Sequence, residues 1–220
     1  MNPCILVPVL KRPWRVEPLL ANIRATTGRC RVLFIADQDD DDELEALDRA
    51  GADFTTVPPG TSYAAKINAG FAATDETIYF QAADDLVFHD GWYEAALRLL
   101  WHPCHVVGTN DLGNPAVKRG AHSTHSLFTR EYIETRGGTM DMGPGVVMYP
   151  GYAHEYCDTE FVAVAKRRGA FKFAYDSVVE HLHPLWGKGE EDATYARGRA
   201  LRDASRATYE ERKHLWKRSR

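Results

Sequence analysis

The sequence lacks any uninterrupted apolar run of the roughly 18 to 20 residues that a membrane-spanning helix requires. We therefore expect a soluble, cytoplasmic protein without a transmembrane segment. The chain also lacks an excess of basic charge, since its formal net charge is -4 over 220 residues. Capture of nucleic acid or of an anionic membrane generally depends on a basic electrostatic field, so we expect neither as a partner.

Cysteine is scarce, with four residues that lie far apart, Cys4, Cys30, Cys104 and Cys157. No two of them form the C-x-x-C pair that is typical of zinc sites and redox dithiols, so neither kind of site is expected. We expect these thiols to be reduced and mostly buried.

The first half of the chain alternates strand-like and helix-like patterns with short connections, which indicates βαβ units and a parallel sheet. The expected strands are 4–9, 31–36, 54–57, 77–80 and 105–109. The expected helices are 15–26, 42–50, one capped by Thr61 or Ser62 that reaches Ala73, and 91–101. The crossovers should be right-handed. This half therefore predicts a Rossmann-like α/β architecture.

The second half is less regular. Residues 111–152 are rich in glycine and proline and show no sustained periodicity, which is typical of a binding loop or lid. A helix at 158–168 and a strand at 171–179 are expected after it. From residue 190 the pattern is helical. The segment from Arg197 onward contains nine Lys or Arg residues and only three Asp or Glu residues. This tail is therefore basic, although the whole chain is acidic.

Acidic residues follow three of the expected strands, at Asp37, at Asp84 with Asp85, and at Asp111. Ligands bind at the carboxyl ends of strands in open parallel sheets, so these acids mark a candidate site. Residues 37–42 superficially resemble a calcium loop, but they lack its glycine at the sixth position and its glutamate at the twelfth. Capping of the following helix is the ordinary interpretation of most of these acids.

The pair Asp84 and Asp85 lies between the apolar residues Phe80 and Leu86. Two adjacent carboxylates are costly to bury unpaired, so a compensating cation is expected. Mg²⁺ and Mn²⁺ prefer oxygen ligands, and Mg²⁺ usually binds through one or two carboxylates together with substrate phosphates. A polar turn between a strand and a helix is the alternative interpretation of this pair taken alone.

The order of these motifs resembles that of glycosyltransferases with the GT-A fold, especially family 2, over about residues 4–186. ILVPVLKRP resembles the first strand and donor loop, and VLFIADQDDDD resembles the second strand with its acids. YAAKINAGFAATDETIYFQAADD is similar to the helix and strand that lead to the family's D-x-D-type metal motif. The resemblance implies an α/β GT-A fold, with a mostly parallel central sheet flanked by helices and a C-terminal helical tail.

The resemblance also implies a donor site near the ends of the first strands. Its implied nucleobase contacts are Pro8, Leu10 and Arg12. Asp37 would contact the uracil or the ribose, and Asp84 would contact the ribose.

The same resemblance implies a Mn²⁺ or Mg²⁺ site at Asp85, with His181 as a further ligand and His183 as its alternate. Exposed strand histidines without a function are the other interpretation of VVEHLHPLWG. Two departures from the family are visible. Ala-Asp-Asp replaces Asp-x-Asp, and Ile67 stands where arginine is common, so the donor phosphate contact either comes from Lys66 or is missing.

EYCDTEFVAVAKRRG resembles the acidic helix start that supplies the catalytic base in inverting members, with Asp158 at the usual position. An acceptor hydroxyl is a poor nucleophile until its proton is removed, and a suitably placed carboxylate contributes roughly 10²- to 10⁴-fold. Glu160 is the substitute candidate. The ordinary interpretation of both acids is stabilisation of a helix start. Trp186 could border a saccharide, although aromatic residues more often serve packing.

We therefore predict one domain over 1–220, with a nucleotide-sugar-binding half at 1–110, an acceptor-binding and catalytic half at 111–186, and a helical tail at 187–220. The predicted activity is metal-dependent sugar transfer, with inversion, from a nucleotide diphosphate donor such as a UDP-sugar. The acceptor (glycan, lipid or protein) and the oligomeric state are left open.

Three other functions compete with this prediction. A sugar-phosphate nucleotidyltransferase shares the architecture, but it usually has a glycine-rich loop after the first strand, where PVLKRP has no glycine. A non-catalytic protein that binds nucleotide or glycan on the same fold would retain Asp37 and Asp85 without needing Asp158. Nucleic-acid binding through the basic tail is the third alternative.

Overall fold

The computed structural model describes residues 1–217, in which eight strands form one mixed sheet. The strands are β1 (Cys4–Pro8), β2 (Arg31–Asp37), β3 (Asp53–Val57), β4 (Ile78–Gln81), β5 (Leu86–Phe88), β6 (Val106–Asn110), β7 (Ser126–Thr129) and β8 (Phe171–His181). The helices are α1 (Pro13–Thr27), α2 (Asp41–Arg49), α3 (Tyr63–Ala72), α4 (Trp92–Leu97), α5 (Pro115–Lys118), α6 (Arg130–Arg136), α7 (Cys157–Arg167), α8 (Ala193–Ala200) and α9 (Arg202–Arg212). Short 3₁₀ turns lie at Pro184–Trp186 and Lys213–Leu215.

The strand order is β3-β2-β1-β4-β7-β6-β8-β5. Within residues 1–217 the pairs β1–β2, β2–β3, β1–β4 and β6–β8 are parallel. The pairs β4–β7, β6–β7 and β5–β8 are antiparallel. The predicted α/β sheet of mostly parallel strands is therefore confirmed, with β7 and β5 as the strands that run against their neighbours.

Alternate residues of the central strands pack into two hydrophobic layers, one on each face of the sheet. Ile5 and Val7 of β1 pack in the layer that includes α1, α2 and α4. Cys4 and Leu6 pack in the layer that includes α3, α6 and α7. Because successive side chains of a strand point to opposite faces, a continuous apolar strand such as β1 requires helices on both sides.

Local signals explain several helix boundaries. Pro13 occupies the first turn of α1, where a missing N–H costs no helical hydrogen bond, and Gly28 ends the helix at φ +67°. At α3 the cap is Ser62, whose hydroxyl accepts a hydrogen bond from Ala65 N at 3.3 Å. Of the two predicted caps, Thr61 and Ser62, the structure therefore selects Ser62.

Three expectations about elements were wrong in detail. The irregular segment 111–152 contains α5, β7 and α6, and β5 was not anticipated at all. The last strand continues to His181, two residues beyond the expected end at Val179, because its end pairs with β5. The helix expected at 91–101 ends at Leu97, where hydrogen bonds from Leu99 N to Ala96 O and from Leu100 N to Leu97 O form tight turns.

The basic tail is partly neutralised by acids of the same chain. Ion pairs join Arg199 to Glu191, Arg202 to Glu155, Arg212 to Glu160 and Asp141, and Lys213 to Glu210. Two further basic residues of the predicted tail, Arg218 and Arg220, lie outside the described residues. The contacts with Glu155, Glu160 and Asp141 pack the tail against the domain.

The cysteines follow the expectation, since all four are free and Cys4, Cys104 and Cys157 are buried while Cys30 is half-buried. Across residues 1–217, no helix combines the length and the apolar character needed to cross a bilayer.

Candidate functional site

A cavity of about 920 Å³ opens at the carboxyl ends of β1 and β4. The predicted site residues that line it are Pro8, Leu10, Arg12, Lys66, Asp84, Asp85, Asp158, His181, His183 and Trp186. The structure therefore brings most of the candidate residues together from strand ends that are distant in sequence. Asp37 and Glu160 do not belong to the lining, and their contacts are described below.

The first carboxylate of the central pair, Asp84, is neutralised by Arg12. Nη1 of Arg12 donates to Oδ1 of Asp84 at 2.7 Å, and the guanidinium forms a second, two-pronged contact with Asp192 at 2.9 Å. Burial and the neighbouring charge of Asp85 raise the pKa of Asp84, whereas Arg12 opposes that rise. Arg12 is therefore a bridge between two carboxylates as well as part of the cavity wall.

The second carboxylate, Asp85, has one oxygen with hydrogen-bond partners and one oxygen without any among the described residues. Oδ2 accepts a hydrogen bond from the hydroxyl of Tyr195 at 2.7 Å and lies 3.0 Å from Nε2 of His181. Oδ1 is buried and has no hydrogen-bond partner among the described residues. Burial raises the pKa of Asp85, but His181, Tyr195 and Arg12 together hold the pKa below its ordinary value. A buried, ionised oxygen without a partner is costly, so this position favours a cation.

Strand pairing brings His181 to Asp85. In the antiparallel register of β5 and β8, His181 lies opposite Leu86, and Leu182 N donates to the carbonyl of Asp85 at 2.8 Å. Burial lowers the pKa of His181, but the carboxylate of Asp85, with those of Asp111 and Asp158, makes the net shift upward. The unexpected strand β5 is thus the reason that the two predicted metal ligands meet.

Oδ1 of Asp85 is the oxygen of this pair that is available to a cation, because Nε2 of His181 lies 3.0 Å from Oδ2, which is the separation of an ordinary hydrogen bond. Within residues 1–217, no group of three or more His, Cys, Asp or Glu side chains is arranged to hold a metal by itself. A cation held here would therefore take its other ligands from substrate phosphates and water, as Mg²⁺ commonly does.

The predicted base, Asp158, lies in the first turn of α7. Its Oδ2 is 3.0 Å from Nε2 of His122, and its Oδ1 accepts a hydrogen bond from Thr159 N at 2.8 Å. Burial raises the pKa of Asp158, but His122 and the hydrogen bond from Thr159 N together make the net shift downward. The carboxylate is therefore ionised at neutral pH and lies in the same cavity as Asp85.

Lys66 and Asp37 form a buried ion pair beneath the cavity. Nζ of Lys66 lies 2.6 Å from Oδ1 of Asp37 and donates to the carbonyl of Val9 at 2.7 Å. Oδ2 of Asp37 accepts a hydrogen bond from Gly60 N at 2.9 Å. Oδ1 of Asp37 thus has an ion-pair contact with Lys66 but no hydrogen bond among the described residues, and the contact of Asp37 with a base or ribose stays a prediction.

The three alternate candidates have protein partners. Glu160 accepts hydrogen bonds from Arg212, at 2.6 and 2.8 Å, and from the hydroxyl of Tyr152 at 2.8 Å. Nδ1 of His183 accepts from Leu185 N at 3.1 Å and caps the turn that follows. Trp186 packs on Gly113, where an added Cβ would lie 2.7 Å from the indole ring. Glu160 is thus tied to the tail.

Four cavity or contact residues were not found by sequence reasoning, namely His122, His125, Asp192 and Tyr195. His125 is buried beside His181, with ring centroids 5.1 Å apart, and burial lowers its pKa to about 3, so it is neutral. The only local signal for Asp192 was its position as a cap for the expected tail helix. Its contact with Arg12 spans 180 residues, which no local pattern reports.

No protein-family model matches the sequence, and no curated protein matches it either. Among solved structures, the chain is similar to a mannosyltransferase from Pyrobaculum calidifontis in complex with GDP-Man and Mn²⁺, with 17% identity and a TM-score of 0.69, over 100% of this chain and 66% of that one.

It is also similar to glucosyl-3-phosphoglycerate synthase from Mycobacterium tuberculosis. The complex with Mn²⁺, UDP and glucosyl-3-phosphoglycerate shows 14% identity and a TM-score of 0.66, over 96% of this chain and 79% of that one. The complex with Mg²⁺ and UDP shows 14% identity and a TM-score of 0.59 over the same shares, 96% and 79%. This chain spans about two thirds of the mannosyltransferase and about four fifths of the synthase. These likenesses confirm the predicted GT-A fold.

Proposed function

We propose that this chain is a metal-dependent glycosyltransferase that moves a sugar from a nucleotide diphosphate donor to an acceptor hydroxyl. The observation that carries the proposal is the buried, unpartnered Oδ1 of Asp85 beside His181, at the carboxyl edge of a GT-A sheet. The ionised carboxylate of Asp158 lies in the same cavity of about 920 Å³. That volume suits a small-molecule ligand, and the two carboxylates supply the two functions that sugar transfer needs.

Asp85 and His181 are the residues that would hold Mn²⁺ or Mg²⁺. When bound, the cation would neutralise negative charge on the leaving diphosphate. The structurally similar mannosyltransferase was solved with GDP-Man and Mn²⁺, and the similar synthase with UDP and Mn²⁺ or Mg²⁺. These ligands support the same cofactor class for the present chain.

For the donor we propose a UDP-sugar. Pro8 is the last residue of β1 and Leu10 lies just beyond it, and both line the cavity where the nucleobase would lie. The Arg12–Asp84 ion pair forms the adjoining wall, suited to the ribose, and Lys66, which is paired with Asp37, lines the cavity beside it. The binding of UDP by the similar synthase supports this choice of nucleotide.

Asp158 is the proposed catalytic base. As the acceptor oxygen bonds to the anomeric carbon, the bond from that carbon to the diphosphate oxygen breaks, and the acceptor's proton passes to Oδ2 of Asp158. Attack on the face opposite the leaving group inverts the anomeric configuration. Because Asp158 is buried and bonded to His122, it starts the reaction as a carboxylate with a fixed orientation. Proton removal by such a group contributes roughly 10²- to 10⁴-fold to the rate.

The test is thermal unfolding of the purified protein with UDP, GDP, CDP or TDP, each with and without Mn²⁺. A ligand that binds only the folded protein stabilises it by about 2.7 kcal/mol at 100 times its Kd, so a rise in Tm reports the donor nucleotide. We expect the rise to need both UDP and Mn²⁺, and to disappear in Asp85→Asn. Asp176→Asn, an exposed acid on β8, is the matched control and should behave like the wild type.

No rise in Tm with any nucleotide at millimolar concentration would overturn the proposal. A second measurement separates an enzyme from a nucleotide-binding protein on the same fold. Wild-type protein with UDP-sugars, Mn²⁺ and a panel of acceptors should release UDP, and Asp158→Asn should keep the ligand-dependent rise in Tm while losing that release. Equal UDP release by both proteins would remove Asp158 from the mechanism.

A further inference from the structure

The first turn of α8, in the C-terminal tail, reaches the cavity wall at Asp85. Asp192 caps this helix, since its Oδ1 accepts a hydrogen bond from Tyr195 N at 3.0 Å. The cap fixes the backbone of Tyr195, whose hydroxyl donates to Oδ2 of Asp85 at 2.7 Å. Thr194 adds a hydrogen bond from its hydroxyl to the carbonyl of Leu10 at 3.1 Å. The tail is thus bonded to both the donor loop and the cation-binding carboxylate.

The Tyr195 hydroxyl, together with His181, fixes which oxygen of Asp85 stays free. Tyr195 and His181 both contact Oδ2, and Oδ1 is left buried without a partner among the described residues. A carboxylate anchored through one oxygen cannot turn about its χ2 angle without breaking these contacts. The arrangement therefore holds Oδ1 ready for a ligand. Hydrogen bonds of this kind to metal ligands typically change metal affinity by 10- to 100-fold when they are removed.

The same tyrosine also holds the neighbouring ion pair. The guanidinium of Arg12 lies 4.1 Å from the centre of the Tyr195 ring and bridges Asp84 and Asp192. Arg12 is thereby directed to Asp84 and Asp192, and Asp85 keeps its own partners. The single guanidinium of Arg12 thus faces two carboxylates, those of Asp84 and Asp192.

We infer that Tyr195 is a positioning residue for the cation site, so the C-terminal tail is part of the donor site and not an appendage to it. This inference rests on the proposed function, because it assumes that Asp85 binds a divalent cation. Tyr195 acts through Asp85 and contacts neither the sugar nor the acceptor in this scheme.

The test compares Tyr195→Phe with wild-type protein in Mn²⁺ binding. The substitution removes the hydroxyl and keeps the ring under Arg12, so the fold should be preserved. We expect the Kd for Mn²⁺, measured by the electron paramagnetic resonance signal of free Mn²⁺ in the presence of UDP, to rise about 10- to 100-fold. Activity should show a raised KM for Mn²⁺ and a kcat that recovers at saturating Mn²⁺, which a general loss of structure would not produce.

Tyr209→Phe is the matched control, since Tyr209 on α9 packs against the rings of Tyr156 and Trp216. It should leave the Kd for Mn²⁺ unchanged. Asp192→Ala is a second variant, which removes the cap of α8 and should raise the Kd for Mn²⁺ in the same direction as Tyr195→Phe. It keeps the inference testable if Tyr195→Phe folds poorly.

The outcomes distinguish the two proposals. If the wild type binds Mn²⁺ with UDP and both variants bind it equally well, the positioning role is overturned and the proposed function stands. If the wild type binds no Mn²⁺ at millimolar concentration, with or without UDP, both proposals fall. A raised Kd in both variants, with Tyr209→Phe unchanged, supports the role of Tyr195.

Discussion

Nε2 of His122 lies 3.0 Å from Oδ2 of Asp158, so the proposed base is bound to an imidazole before any substrate arrives. The two residues come from different parts of the chain, the loop before β7 and the first turn of α7. Burial lowers the pKa of His122, but the hydrogen bond to Asp158 and the negative charges of Asp158 and Asp111 together raise the pKa above its ordinary value of 6.5. The same pair holds the pKa of Asp158 below its ordinary value.

This pair predicts opposite pH dependences for the rate and for stability. A protonated His122 withdraws basicity from Asp158, so the transfer rate should rise as pH increases through the raised pKa of His122, above 6.5. The stabilisation from the ion pair is fully present below the pKa of histidine in the unfolded chain, about 6.5, and is lost through the same window. Rate profiles and urea unfolding, measured between about pH 5.5 and about pH 9, check both pH dependences.

His122→Gln should remove the pH dependence of the rate in that window and reduce that of stability, because one of the titrating groups is gone. His214→Gln, an exposed histidine near the C-terminus, serves as the control and should leave both curves unchanged. A rate profile of His122→Gln that retains the wild-type midpoint would show that another group sets the pH dependence.

Asp158 and Glu160 should respond differently to neutralisation. Asp158→Asn should lower the rate about 10²- to 10⁴-fold with little loss of stability. Glu160→Gln removes a charge that faces Arg212 in a buried contact, so it should destabilise the fold by about 3 kcal/mol and leave the rate of the folded fraction nearly unchanged. Single-turnover kinetics and urea unfolding on both variants test this. A fully folded Glu160→Gln protein without activity would contradict the assignment.

The sequence predicted those features that depend on local pattern. The strands and helices up to β4 follow from apolar periodicity and from Pro13, Ser62 and Gly28, because capping and buried strands are local effects. Short elements were missed. β5 has three residues and β7 has four, too few for a two-residue alternation to be distinguished from an irregular loop.

The site residues at strand ends could likewise be predicted from the sequence, whereas those contributed by the tail could not. Asp85 and His181 stand at strand ends, and the resemblance to a known family supplied their pairing, which β5 then explains. The contact between Tyr195 and Asp85 spans 110 residues, and that between Arg12 and Asp192 spans 180. Such contacts depend on how the tail packs against the sheet, which a single sequence does not encode in any local window.

The ion pair of Lys66 and Asp37 predicts a structural cost that is separable from donor binding. Lys66→Met leaves the buried carboxylate of Asp37 with one hydrogen bond, from Gly60 N, and should destabilise the protein by about 3 to 5 kcal/mol. Urea unfolding measures this. The double variant Lys66→Met with Asp37→Leu should recover part of the loss, because the unpaired charge is removed as well. Additive losses would show that the two side chains do not depend on each other.

Glu43 predicts a stability that falls as pH rises. The Glu43 side chain is buried on α2, with Oε2 accepting a hydrogen bond from Arg12 N at 2.7 Å and Oε1 without a partner among the described residues. Burial raises the pKa of Glu43 from 4.5 to about 7. The folded protein therefore binds this proton more tightly than the unfolded chain does. The free energy of unfolding declines as pH rises from 4.5 to about 7, and this contribution is level above pH 7.

Glu43→Gln keeps an acceptor for Arg12 N and removes the titration, so it should be more stable than wild type at pH 8, by on the order of 3 kcal/mol, and similar to it near pH 4.5. Urea unfolding at both pH values measures the difference between variant and wild type, in which other titrations cancel. Glu17→Gln, an exposed acid on α1, should show no such pH-dependent difference. An equal difference at both pH values would mean that Glu43 is ionised throughout, and that its buried carboxylate is compensated by Arg12 and Lys66 rather than by a proton.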